Sequence, residues 1–381
     1  MKRVLLAVAL LSPLIMLAQD KKKKGPKTFD LIVGAYTSEK STGLSVYRFY
    51  VETGRLAYLS QSDDVENPSY LAIDKENKFV YAVSETDNGQ VYSYSFSPKN
   101  GQLTFINKQK TNGASPCYIS VDEDRKNLFV ANYSSGNLTV LPVANDGSIQ
   151  PASQVIQEKG SGFNKARQEG PHVHMAYLSP DEKFLLYTDL GTDKIHVTKY
   201  KSGQAPPLTP AEPAFTSVAP GNGPRHLEFS LDKKHLYAVE ELTGMVTAFD
   251  YNKGQLKQIQ EITMLADGFK GNVGAADIHI SPDGKYLYAS NRGDANEIVV
   301  YAVDQLSGML TFVHRFATRG KAPRNFVIDP TGNFLLVANQ DSDNINVFRL
   351  DKNTGKPIGM VNSTTAGKPV CLKFATAIEK D

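Results

Sequence analysis

The stretch PRHLEFSLDKKHLYAVEEL, residues 224–242, decides the fold. It opens on a proline, runs as a strand-like HLEFS, turns at LDKK and resumes as HLYAVEEL. Two short strand-like runs separated by a tight polar turn form a β-hairpin pattern; an amphipathic helix would repeat its apolar face every three to four residues. Immediately upstream, APGNGPRH (219–226) places a Gly/Pro-rich turn that fixes where Arg225 and His226 enter the strand. Taken alone, such a turn before polar residues calls for no functional explanation.

The unit is repeated. It occurs as PSYLAIDKENKFVYAVSE from Pro68, PCYISVDEDRKNLFVANY from Pro116 and VHMAYLSPDEKFLLYTDL from Val173. It occurs again as AADIHISPDGKYLYASNR from Ala275 and PRNFVIDPTGNFLLVANQ from Pro323, and begins once more as PVCLKFAT from Pro369. Successive starts are 48, 57, 51, 51, 48 and 46 residues apart. An alternating third strand such as QVYSYSFSP or NINVFRL follows each pair, and a Gly-containing hairpin leads into a fourth, as in SGMLTFVHRF. Four strands at this period are the signature of a propeller blade. A lone four-stranded sheet cannot bury both faces, so blades must stack around an axis.

The incomplete last repeat accounts for the N-terminus. FDLIVGAYT, GLSVYRFYV and RLAYLSQ read as second, third and fourth strands without a first, and the C-terminal repeat supplies a first strand without the others. The expectation is an all-β, seven-bladed β-propeller over residues 29–381, four antiparallel strands per blade. The ring is closed by the N-terminal strands pairing with the C-terminal strand.

Composition sets outer bounds. Apolar content of 41% with 22% charged residues is that of a soluble globular chain, and a net charge of +2 gives no nucleic-acid footprint. Lys2 and Arg3 precede an apolar run from Val4 to Leu17, the layout of a secretory signal over residues 1–18. The run is shorter than the roughly 20 residues of a membrane span. Cleavage after Ala18 removes Lys2 and Arg3, taking the formal charge from +2 to 0. Residues 19–28, with Lys21 to Lys24 and Lys27, read as a basic linker. Export to the periplasm as a monomer without a membrane span is expected, with a cytoplasmic location if the segment is not a signal. Cys117 and Cys371 fall on blades two apart in the ring, and no disulfide between them is expected.

Aligning the blades exposes two rings. The first strand of each blade lines the channel, and the residue after its leading position is Ser69, Cys117, His174, Arg225, Ala276, Arg324 or Val370. The residue just after the small or polar end of each second strand is Tyr36, Glu85, Tyr133, Leu190, Glu241, Arg292 or Gln340. Arginines converging on a channel mouth can donate in forked pairs to an anion or a polarised carbonyl. The competing explanation is an ion-paired ring, Arg225–Glu241 and Arg292–Glu241, that only holds blades together.

Other candidates carry weaker signals. His172 and His174 share one face of an extended segment, but no third ligand stands at a matching spacing, so no metal is expected. His279 alternates within DIHIS as a hydrogen-bonded core histidine, with Asp277 turned to the channel. The segment QEKGSGFNKARQEG, 157–170, is a Gly-rich basic insertion that would form a mobile rim over the site. No G-x-S-x-G, phosphate-loop or dinucleotide motif is present.

At GPRH (223–226), AADIHISPDG (275–284), SNR (290–292) and PRNF (323–326), the sequence resembles the seven-bladed propeller lactonase family. That family includes 6-phosphogluconolactonases and carboxy-muconate lactonising enzymes. The resemblance covers essentially all of 29–381 and implies a lactone-handling enzyme without metal or cofactor. In the muconate branch of that family a His, two Arg and a Glu around the channel mouth are the proposed active residues, and by motif these fall on His174, Arg225, Arg292 and Glu241. In this reading His174 is the general base, Arg225 and Arg292 polarise the carbonyl, and Glu241 orients them. Arg324, His172, His226 and Asp277 would contact substrate, with Arg324 holding a carboxylate or phosphate. Hydrolysis of a sugar-acid lactone, lactone formation, and an exported propeller that binds a ligand or protein without catalysis remain the three functional readings.

Overall fold

The computed structural model describes residues 26–376. These residues form seven four-stranded antiparallel sheets. Blades one to six begin at Leu71, Pro116, Val173, Pro224, Ala275 and Pro323, and blade seven joins Pro369–Thr376 to three N-terminal strands; blade one's first strand is the short Leu71–Ile73, three residues later than its repeat start at Pro68. The closing pair is antiparallel, with Phe29 opposite Thr376 and Gly34 opposite Cys371. The expected ring, blade count and seam are all present. The first strand starts at Thr28, one residue inside the expected linker, while the expected signal over 1–18 lies outside the described residues.

Burial explains why the blades stack. Second strands such as Asn127–Asn132, His235–Glu240 and Phe334–Asn339 are buried along their whole length. They sit mid-sheet with a blade against each face, so they read as continuous apolar runs. Fourth strands such as Gln102–Lys110 and Gln255–Thr263 face solvent for much of their length and carry the polar residues.

Two turn devices recur. After six of the seven first strands an acidic or hydroxyl side chain caps the hairpin; Asp329 Oδ1 accepts from the N–H groups of Asn333 and Phe334 at 2.8 and 2.6 Å. Between third and fourth strands, a left-handed glycine presses on the neighbouring blade. A Cβ on Gly147 (φ 86°) would lie 2.2 Å from the Phe79 ring, and one on Gly308 (φ 68°) would lie 2.3 Å from His235. Only glycine permits both that backbone and that approach. Cys117 and Cys371 are both free and buried.

Candidate active site

Both rings anticipated from blade register have a backbone cause. Along six of the seven first strands, pairing with the second strand slips at the second position, leaving Cys117, His174, Arg225, Ala276, Arg324 and Val370 without a ladder partner. An extra residue of this kind is a β-bulge, which re-aims its side chain. Strict alternation would send these residues away from the channel; the bulge turns them into it. The second ring is pinned by one repeated hydrogen bond. Tyr36, Glu85, Tyr133, Leu190, Glu241, Arg292 and Gln340 each donate their N–H to the carbonyl just before the first strand of their own blade, at 2.9–3.0 Å in all seven blades.

The two rings wall a cavity of about 480 Å³ at one channel mouth, lined by Glu85, Tyr133, Arg167, His174, Glu241, Arg292 and Arg324 among others. Glu241 is its hub. Its Oε2 accepts from Arg225 Nε at 2.8 Å and pairs with Arg292 Nη2 at 3.0 Å, and its Oε1 accepts from Arg167 Nη2 at 2.7 Å. Burial alone would raise the Glu241 carboxyl, but Arg292 and Arg225, with Arg167, hold it well below the usual carboxylate range. One anion among three guanidiniums leaves the cluster net positive. Burial lowers Arg292 to about 10, so it stays charged at neutral pH. Its Nε is anchored on the Gly274 carbonyl at 3.0 Å.

Arg324 is held loosely by comparison. Its nearest acid is Glu85, at 3.9 Å, and Glu85 is already engaged by the Tyr36 hydroxyl at 2.9 and 3.0 Å. The guanidinium carbon lies 5.5 Å from the centre of the Tyr36 ring, which steadies it without consuming its donors.

His174 is 3% exposed on the pocket wall, and its buried Nδ1 has no hydrogen-bond partner. Burial first, then Arg225, His226, Arg324 and Arg292, hold the imidazole well below the ordinary histidine range. It is therefore neutral at physiological pH. Tyr133 meets it edge-on at 5.7 Å and His226 at 5.3 Å. Cys117, at the equivalent bulge, is no nucleophile: burial pushes its thiol up, and Sγ donates to the His174 carbonyl at 3.4 Å.

The structure brings His174, Glu241, Arg292 and Arg324 onto one pocket wall. It places Arg225 one layer lower. That side chain is 1% exposed, with Nε on Glu241 and Nη1 on the Ala276 carbonyl at 2.6 Å, and it lies behind the wall. His226 and Asp277, expected to touch substrate, lie below it in a separate channel cavity of about 220 Å³. His172 is also off the pocket: its ring stacks on Tyr133 at 4.4 Å and its Nε2 lies 3.3 Å from Glu169. Among the described residues no cluster of three His, Cys, Asp or Glu is arranged to hold a metal ion.

Two residues of the site, Arg167 and Asp193, lie outside the blade register, and a third, Glu85, stands in it without an assigned role. Arg167 comes from the 157–170 insertion, which is a rim but a fastened one. Gln168 is fully buried, and its Nε2 donates to the Leu190 carbonyl at 2.8 Å and to Asp193 Oδ1 at 2.7 Å. Asp193 in turn accepts from the N–H groups of Gly221 and Gly223, both at 2.8 Å, tying the rim to the turn that delivers Arg225. Glu85 stands in the second ring, and its acidic neighbour-of-arginine position was the available signal. Asp193 has no local signature.

Fold and pocket define a class: a seven-bladed propeller with an arginine-walled polar pocket at one mouth of its channel. The chain belongs to the lactonase family of seven-bladed β-propellers, whose family model matches residues 30–374. A Bacillus subtilis 6-phosphogluconolactonase is 37% identical over 345 residues, spanning 90% of this chain and 97% of its own length. A Formosa agariphila 6-phosphogluconolactonase is 36% identical, spanning 86% and 94%. The solved structure of a periplasmic gluconolactonase from Pseudomonas aeruginosa superposes with a TM-score of 0.89 at 40% identity, covering 92% of this chain and 100% of that one.

Proposed function

We propose that the protein is a lactonase that hydrolyses a sugar-acid lactone. The observation that carries this is a neutral, buried histidine set in a pocket wall beside fixed guanidiniums. Water attacks the ring carbonyl carbon while His174 takes its proton. The carbonyl π electrons move to oxygen, and Arg292, held in place by Glu241 and the Gly274 carbonyl, faces the developing oxyanion. Collapse of the tetrahedral intermediate breaks the bond to the ring oxygen, which takes its proton from the His174 imidazolium. The products are an open-chain carboxylic acid and an alcohol, and the acid ionises at neutral pH. The surrounding cations make the imidazolium a strong acid, which suits the second proton transfer; the oxyanion offsets those same cations during the first.

Arg324 is the group with donors to spare, and it holds a carboxylate or phosphate of the substrate. Arg167 closes the pocket from the rim. The relatives named as 6-phosphogluconolactonases and the periplasmic gluconolactonase support the substrate class. The charged, then apolar, N-terminal segment and the periplasmic neighbour support export of the chain. No helix of the described residues is long and apolar enough to cross a membrane.

The test is proton release at constant pH from gluconolactone and from its 6-phosphate, with wild type and His174→Ala side by side. Wild type should exceed the spontaneous rate on at least one lactone and the variant should not. Equal rates with and without wild-type protein on both lactones would sink the reading.

A further inference from the structure

The reaction as written leaves His226, Asp277 and His279 without a task, although all three are charged or polar groups held in the channel. Their hydrogen bonds fix one another's proton positions. Asp277 Oδ1 lies 2.7 Å from His226 Nδ1, and a carboxylate there accepts, so Nδ1 carries the proton. Arg225 Nη1 lies 3.3 Å from His226 Nε2, and a guanidinium can only donate, so Nε2 is bare. Two independent partners thus specify one tautomer. Asp277 is itself over-determined: its Oδ2 accepts from His279 Nε2 at 3.1 Å, from the Phe326 N–H at 3.3 Å and from Asn325 Nδ2. Asn325 is locked in turn by the Leu372 N–H, which donates to its Oδ1 at 2.7 Å. His279 has a carboxylate at each nitrogen, Asp277 on one side and Glu228 Oε2 at 3.6 Å on the other.

The result is a column of alternating charge down the channel: His279 positive, Asp277 negative, His226 neutral and polarised, Arg225 positive, Glu241 negative, Arg292 and Arg167 positive. Blades four and five contribute it together with Arg167 of the insertion, and Asn325 of blade six and Leu372 of blade seven brace it. We propose that Asp277 and His226 are positioning residues for the lactonase reaction, acting by fixing Arg225 and, through it, the Glu241 carboxylate and the donors aimed at the carbonyl. The inference rests on the lactonase reading for its kinetic arm only. Burial, then Arg225, hold His226 down at about 4, so the tautomer persists across the working pH range. Were His226 protonated at Nε2, its N–H would point at Arg225 and push the guanidinium off Glu241.

Two amide substitutions separate this role from a merely structural one. His226→Asn keeps a donor near the Nδ1 position for Asp277 but loses the acceptor for Arg225. His226→Gln reaches the Nε2 position with an acceptor but gives up the bond to Asp277. If the column acts through Arg225, Asn should lower kcat about tenfold or more, and Gln should retain at least threefold more kcat than Asn. A packing role for the Asp277 bond predicts the reverse order, with thermal midpoints following the same sequence, and that order would overturn the proposal. A second measurement needs no activity. The ¹⁵N imidazole shifts of His226 in the wild-type protein at pH 7 should report Nδ1 protonated and Nε2 bare; the opposite tautomer or an imidazolium overturns the proposal. Failure of wild type to hydrolyse either lactone would remove the lactonase reading and leave the ¹⁵N result to decide the column.

Discussion

Blades four and six present the same dipeptide, Pro224-Arg225 and Pro323-Arg324, at the same bulge of the same strand, yet the two arginines do different work. Arg225 is fully buried and bound to Glu241; Arg324 reaches the pocket, with its nearest acid 3.9 Å away. The difference lies at the end of the second strand. Blade four ends there on Glu241, an acid 2.8 Å from its own blade's arginine, whereas blade six ends on Gln340, which is neutral. An arginine with a carboxylate in its own blade becomes scaffold, and one without it stays available. Identical local sequence therefore predicts identical position, not identical duty.

The largest effect that would sharpen this contrast is on Arg225. Arg225→Ala leaves Glu241 with two partners instead of three and removes the hydrogen-bond donor facing His226. Breaking such a buried pair costs about 3–5 kcal/mol, and lactonase activity should fall to background. Chemical denaturation and proton-release assays together check this, and an inactive protein of unchanged stability would contradict the scaffold assignment. His174→Ala should reduce kcat by about 10²–10⁴ with the fold intact by circular dichroism. Because His174 is held well below 6.5, wild-type kcat/KM should pass through pH 6.5 without an acid limb, which would appear only at lower pH.

Arg324→Ala should behave unlike Arg225→Ala. We expect KM to rise by about tenfold, the loss of one charged hydrogen bond, with kcat and the thermal midpoint unchanged. A loss of stability would erase the distinction between the blades. Gln340→Glu gives blade six the acid of blade four. It should draw Arg324 toward its own blade and raise KM about two- to fivefold, the scale of a partly exposed ion pair.

The smallest effect is on stability against pH. His279 is pushed up from 6.5 to about 10 by Asp277 and Glu228 against the opposing effect of burial. A raised value means the folded form binds the proton more tightly, so its contribution is whole below pH 6.5 and is lost as pH rises through 10. His226 is held down near 4, so its contribution is whole above 6.5 and is lost as pH falls toward 4. Melting midpoints should peak near pH 6.5 and decline on both sides. His279→Asn should remove part of the alkaline decline, and a midpoint that kept rising above pH 8 would argue against the charged His279.

Blade count, seam and both rings were legible because repetition turns weak local patterns into a register, and register turns Arg225, Arg324 and His174 into neighbours. What the sequence could not display was depth. Alternation alone assigns a residue to one face or the other, whereas the bulge puts Arg225 and His226, adjacent in the chain, both in the channel at different levels. His226 and Asp277 thereby fall beneath the pocket instead of in it. Arg167 was hidden for another reason: it sits outside the repeat, and only the burial of Gln168 and the bridge through Asp193 carry it to Glu241.

The seam has a consequence in time as well as in space. Residues 369–376 follow every other blade in the chain, yet they form the innermost strand of a blade whose other three strands come first. Leu372, within that last strand, donates the bond that holds Asn325 against Asp277. A growing chain can assemble blades one to six in order, but the channel has a missing stave until its final strand is made. Order of synthesis thus makes the channel beneath the pocket the last part of the ring to close.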